Sequence, residues 1–231
     1  MNKKQKILVV VAHPDDEILG CGGTIVKHTL NGDEVHVIIM AEGITSRDNT
    51  RNIDFRNDEL ETLHKRTRQA SKIMGVKSVK LYNFPDNRMD SIDLLDIIKM
   101  IETTIKKIKP DVVYTHHAGD VNIDHKITHD AVITACRPLP EQSVKKILFF
   151  ETLSSTEWQM ETADKTFLPN WFVNIEEYYE IKMNALKCYD SEMREYPHPR
   201  SYEGIEILSK YRGAIIGCKY AEAFMLGRNI I

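Results

Sequence analysis

The chain has 231 residues, 42% of them hydrophobic, enough for one large buried core. Its 31 Lys plus Arg nearly balance 34 Asp plus Glu, giving a net charge of -3 with no long basic block, which argues against nucleic acid as a partner. Cys21, Cys136, Cys188 and Cys218 lie far apart with no CxxC pair, so neither a zinc ribbon nor a dense disulfide framework is indicated and a reducing compartment fits.

The basic start, Met1 to Lys6, runs into an apolar segment, Ile7 to Val11, that is too short for the core of a signal peptide. No later stretch is long enough to span a bilayer, so the sequence reads as a cytoplasmic protein without a stable membrane anchor. Ile7 to Val11, Val35 to Met40, Val79 to Tyr82, Val112 to Thr115 and Ile147 to Phe150 are β-branched, apolar runs that predict strands buried on both faces. Between them, helical spacing covers Gly22 to Leu30, stopping at Asn31-Gly32, then Leu60 to Met74, Leu94 to Ile108 and His125 to Cys136. Glu42 to Asp58 is polar and aperiodic, a long loop over the carboxyl edge of the sheet. After Glu151 the rhythm changes, with helices expected over Glu176 to Tyr189 and Ser201 to Ile215. The expected fold is α/β and Rossmann-like, a mostly parallel sheet with helices on both faces and a C-terminal α/β extension. One domain spans 1–231, with a core over about 6–150 and the extension over about 151–231, which covers a sheet edge and adds to the pocket wall.

The chemistry concentrates where the first strand ends. Ala12-His13-Pro14-Asp15-Asp16-Glu17-Ile18-Leu19-Gly20-Cys21-Gly22-Gly23 packs a histidine and three acids at the edge where open α/β sheets keep their sites. Crowded carboxylates cost repulsion and desolvation unless a cation compensates, and a divalent metal does so. His13 and Asp16, three apart, can converge on one ion; alternatively they only cap the next helix. The glycines tilt the reading toward the metal by leaving room for close backbone approach. A third ligand is expected from a neighbouring strand edge, where His116-His117-Ala118-Gly119-Asp120-Val121-Asn122-Ile123-Asp124-His125 follows the fourth run. His125 is selected, because two histidines and a carboxylate with open positions suit catalytic zinc or ferrous iron. Asp124 is placed to orient a ligand imidazole.

AHPDDEILGCGG after the first strand, paired with GDVNIDH after a later one, resembles the LmbE or PIG-L family of metal-dependent N-deacetylases. The likeness runs from about Lys6 to Phe150. It implies a zinc-dependent hydrolase, with Fe(II) or another divalent ion as the alternative metal, that removes acetyl from an amino sugar or sugar conjugate. It also implies that His13, Asp16 and His125 bind the metal while Asp15 is the general base. Metal binding lowers the pKa of water from 15.7 to about 7, and Asp15 is then suited to take the water proton and return it to the amine. Many family members carry histidine where this chain has Asn122, and some carry tyrosine where it has Asp120. Asn122 is therefore expected to serve in place of that histidine, facing the developing oxyanion with an amide that cannot titrate, or else only to stabilise the turn before His125 through side-chain bonds to nearby backbone.

Arg88, after the third strand, is expected to reach a sugar hydroxyl or phosphate, with a solvated surface turn as the alternative; Arg47, Arg51 and Arg56 are weaker versions of the same idea. Trp158 can stack on a sugar face or sit in the core, and the Tyr196-Pro197-His198-Pro199-Arg200 segment, which carries His198, is stiffened by two prolines and ends in a cation, which suits a pocket rim or a subunit contact. His116 and His117 either line the pocket or pack, and His129, four after His125, is a lesser ligand candidate. The expected partner is a small N-acetylated sugar or conjugate, in a homo-oligomer. An amidase of a non-sugar N-acyl compound and a non-catalytic metal-binding module are the rival readings; the intact Asp15 weighs against the second.

Overall fold

The computed structural model describes residues 4–231, so Met1 to Lys3 of the basic start lie outside the described residues. The sheet is built from β1 (Lys6–Val11), β2 (Glu34–Ala41), β3 (Ser78–Phe84), β4 (Val112–His116), β5 (Lys146–Phe150), β6 (Trp171–Asn174) and β7 (Ala221–Asn229). Their order is β3-β2-β1-β4-β5-β7-β6. The first five pair in parallel; β7 joins β5 antiparallel and β6 joins β7 antiparallel. The helices are α1 (Asp16–Leu30), α2 (Asn57–Ile73), α3 (Leu94–Ile108), α4 (Ile123–Ala135), α5 (Tyr179–Leu186) and α6 (Tyr202–Ile216).

The continuous apolar run of β1 is explained by helices on both faces of the sheet. Alternate side chains Ile7, Val9 and Val11 join a core with Ile18 and Ile25 of α1, Leu60 and Leu63 of α2 and Leu186 of α5. Leu8 and Val10 pack on the other face with Ile97 and Ile101 of α3 and Val132 of α4. β3 departs from the expectation of a strand buried on both faces, because it is an edge strand with only Tyr82 buried.

α1 begins at Asp16, six residues before the expected start, but is broken at Cys21, whose φ is -151°. The break leaves the Gly23 and Thr24 amides without helical partners, and they donate to the Glu222 carboxylate of β7 at 2.8 and 2.7 Å. Lys182 of α5 closes this buried cluster with an ion pair to Glu222 at 2.7 Å. The glycines here serve packing: a Cβ at Gly20 would run into the Phe150 ring, and one at Gly23 would lie 2.8 Å from the Ile175 side chain. The chain leaves β1 toward β2 on one side and returns at β4 on the other, so the crevice beyond Val11 and His116 is a topological switch point.

Candidate metal centre

Beyond β1, the chain turns at His13 and Pro14 and enters α1 at Asp16. Beyond β4, it loops to Asn122, whose side chain caps α4 and sets His125 in the first turn. Donor atoms of His13, Asp16 and His125 lie within 4.8 Å of one another. Asp16 Oδ2 is 3.4 Å from His13 Nδ1 and 3.3 Å from His125 Nε2, and it accepts the His13 backbone N–H at 2.8 Å. Asp16 Oδ1 is buried with no hydrogen-bond partner among the described residues.

Each imidazole turns its other nitrogen to a carboxylate. His13 Nε2 lies 3.0 Å from Asp124 Oδ2 and 3.3 Å from Asp86 Oδ1; His125 Nδ1 lies 3.0 Å from Asp120 Oδ2. Such partners fix the tautomer and leave the inner nitrogens free to ligate. Asp124 is itself held by the Asn87 and Met89 amides at 2.6 and 3.0 Å, and Asp120 by the Asn122 amide and the hydroxyls of Ser155 and Thr156. Asp86 accepts the Ser46 amide at 3.0 Å.

Five buried aspartates, Asp15, Asp16, Asp86, Asp120 and Asp124, thus surround two histidines. Burial works against charge on His125, but Asp16 and Asp120 outweigh it and lift that imidazole to about 9. His13 is raised well above its usual value against the same burial, by Asp124, Asp16 and Asp86. Burial also opposes ionisation of Asp16, yet His125 and His13 hold it well below the carboxylate range. The cluster of buried carboxylates therefore favours a positive charge between them. Two imidazoles, a carboxylate with one bare buried oxygen, and carboxylates behind the rings are a donor set that fits a divalent ion.

Asp15 stands beside this set, outside the atoms that cluster with Asp16. Its backbone is left-handed, φ 101°, and its N–H donates to Glu17 Oε2 at 3.0 Å; its Oδ2 pairs with Arg200 Nη1 at 3.2 Å. Burial pushes the Asp15 carboxyl up to about 7 against the pull of Arg200. A cavity of about 170 Å³ opens over these groups, lined by His13, Asp15, Asp16 and Asn122 and walled by Arg47, Arg194 and Arg200. A larger groove of about 1030 Å³ lies at the opposite, amino-terminal edge of the sheet and shares none of these residues.

Four expected site residues are placed differently. Both ends of the Asn122 amide are engaged: Oδ1 accepts from the Asp124 and His125 amides at 2.8 and 3.4 Å, and Nδ2 donates to Asn87 Oδ1 at 2.8 Å. It lines the cavity and caps α4, with one of its two N–H donors given to Asn87. Arg88 turns away and clamps the preceding loop, donating to the carbonyls of Asp48 and Asn49 at 3.0 and 3.1 Å. Trp158 is 52% exposed and meets His198 edge-on at 5.5 Å, and neither lines the cavity. His198 instead accepts the Arg200 amide on Nδ1 at 3.0 Å, shaping the segment that carries that arginine.

The remaining candidates also divide. Arg47 reaches the cavity wall but is paired with Glu192, while Arg51 and Arg56 are tied to Glu42 and to Asp48. His116 accepts the Ala12 amide on Nε2 at 2.9 Å, which commits its lone pair to the backbone. His117 and His129 bond the carbonyls of Lys165 and His116, both at 2.9 Å. Arg200, the cation that ends the stiff 196–200 segment, stands at the cavity wall, as the pocket-rim alternative has it; Asp86 and Glu17 are not among the expected ligands or catalytic residues, and for Asp86 the signal available is its position after a third parallel strand, at the same sheet edge.

Residues 8–136 match the family model described as PIG-L, GlcNAc-PI de-N-acetylase. The chain is 34% identical over 196 residues to the uncharacterized deacetylase YaiS of Escherichia coli K12, covering 82% of this chain and 93% of that protein. It is 25% identical to the diacetylchitobiose deacetylase of Thermococcus kodakarensis, covering 96% and 82%. Among solved structures, GalB, the 4-carboxy-2-hydroxymuconate hydratase of Pseudomonas putida KT2440, superimposes with a TM-score of 0.77 at 20% identity, over 98% of each chain, a likeness of fold alone. The match over residues 8–136 takes in both motif segments and every histidine and aspartate of the cluster, and with it this chain belongs to the PIG-L family of de-N-acetylases.

Proposed function

We propose that this chain is a zinc-dependent hydrolase that removes the N-acetyl group from an amino sugar or sugar conjugate. The observation that carries the reading is the bare, buried Asp16 Oδ1 between two imidazoles whose outer nitrogens face carboxylates, with a second acid, Asp15, alongside. His13, Asp16 and His125 would hold the ion, which when bound supplies Lewis acidity and makes water acidic enough to ionise near neutrality. Asp15 takes the proton of the attacking water on its carboxylate and delivers it to the departing nitrogen. The new C–O bond and the broken C–N bond leave acetate and a free amine.

The cavity supports a small acyl group. Its volume of about 170 Å³ is below the ~300–1,000 Å³ of pockets that engulf drug-sized ligands, so the bulk of a conjugate projects outward. Its polar lining suits a hydroxyl-rich ring next to the amide. The sugar class follows the relative from Thermococcus kodakarensis, named for diacetylchitobiose. The test is acetate release from free, nucleotide-linked and lipid-linked N-acetyl sugars beside N-acyl amino acids. Release from the sugars alone supports the reading. Release only from non-sugar amides makes the chain an amidase, and no release from any of them by metal-loaded protein overturns the deacetylase reading.

A further inference from the structure

We propose that Arg200, supplied by the C-terminal segment beyond the family-matched region, is a positioning residue that holds the Asp15 carboxylate off the metal site and so keeps it free as a base. The proposal rests on the metal reading above. Asp15 and Asp16 are adjacent and both buried, and a second carboxylate within reach of a divalent cation tends to join its ligands, filling positions that water and the acyl oxygen need. Yet Asp15 contributes no atom to the His13, Asp16 and His125 cluster.

Two tethers account for this. The left-handed backbone at Asp15, unusual for a residue with a Cβ, is pinned through its N–H to Glu17 Oε2, and Glu17 is anchored by the Tyr189 hydroxyl at 2.9 Å. The carboxylate itself is paired with Arg200, Oδ2 to Nη1 at 3.2 Å. That guanidinium is not free to follow Asp15 inward: its Nε donates to Ser154 Oγ at 3.0 Å, its amide to His198 Nδ1, and its carbonyl accepts the Arg194 amide at 3.0 Å. Arg47, the other paired cation of the wall, is engaged by Glu192, so Arg200 is the cation that meets Asp15.

The test uses the full chain loaded with Co(II), whose visible absorption reports coordination independently of turnover. Arg200→Met is expected to change the Co(II) spectrum, tighten Co(II) binding by roughly 10-fold, on the scale of residues that tune metal ligands, and lower kcat by about 10², the cost of a misplaced group. Arg200→Lys, which keeps the charge, is expected to retain the parent spectrum with a smaller loss of rate. Adding Asp15→Asn to Arg200→Met must restore the parent spectrum, since it removes the carboxylate said to intrude. A parent-like spectrum and affinity in Arg200→Met overturn the proposal alone, as does an altered spectrum that persists in the double variant. A parent chain that takes up no Co(II) overturns the metal reading, and this proposal with it.

Discussion

Replacing Asp120 should damage the site in an order that side-chain size does not anticipate: asparagine worse than alanine. Asp120 Oδ1 accepts the Asn122 amide at 2.9 Å and the Ser155 hydroxyl, whereas Oδ2 faces His125 Nδ1 at 3.0 Å and the Thr156 hydroxyl at 2.9 Å. In Asp120→Asn the fixed backbone donor at Asn122 demands the amide oxygen on its side, which leaves the NH₂ pointing at His125 Nδ1. That nitrogen must then accept, moving the imidazole proton to Nε2, the atom that faces Asp16 and the ion site. Asp120→Ala removes the partner without imposing the wrong tautomer. Losing such a partner costs about 10- to 100-fold in metal affinity, or ~1.4–2.7 kcal/mol; the wrong tautomer adds at least roughly another tenfold. Competition against a chromophoric chelator measures Zn(II) affinity in all three proteins. An asparagine variant that binds as tightly as the alanine variant would refute the tautomer reasoning, and one that matches the parent would remove Asp120 from the account.

Asp15→Asn should keep its metal but turn over about 10²- to 10⁴-fold more slowly; steady-state kinetics beside metal analysis checks both, and a parent-like rate contradicts the base assignment. Asn122→Ala removes the cap on the Asp124 and His125 amides, so thermal unfolding should show a loss of ~1 kcal/mol with turnover per bound metal unchanged. A fall in kcat at full occupancy would instead make Asn122 a donor to the reacting oxygen. Glu222→Ala leaves Lys182 buried without its partner and the broken turn of α1 without an acceptor, so chemical denaturation should show a loss of about 3–5 kcal/mol. A change under 1 kcal/mol would mean that the cluster is not what holds α1 together.

Much of this fold is written in local pattern. The central parallel strands stand out because helices on both faces leave β1, β4 and most of β5 almost continuously buried and rich in β-branched residues. β7 does not, since its Ala221-Glu222-Ala223-Phe224 alternation hides behind a buried Glu222 whose partners, Gly23, Thr24 and Lys182, come from distant parts of the chain. The start of α1 differs from the sequence reading for a related reason: the glycines that look like a helix entry at Gly22 mark an internal break at Cys21. In the site, His13, Asp16 and His125 are legible because two short segments carry them. Asp86 is brought to His13 by topology alone, the cation Arg200 reaches Asp15 from a stiff segment whose pocket-rim role the sequence leaves open, and Arg88 shows the converse, a cation at the right sheet edge whose Nη2 is given to loop carbonyls.

The central claim is that His13, Asp16 and His125 hold one catalytic divalent ion. The most direct measurement is metal content and acetate release on the same preparation of parent chain and of His125→Ala, before and after chelation and re-addition of Zn(II). The account predicts near one ion per parent chain, activity lost on chelation and regained with Zn(II), and a His125→Ala protein that folds but neither retains the ion nor regains activity. Full metal content and activity in His125→Ala, or deacetylation undiminished in the chelated parent, would contradict it.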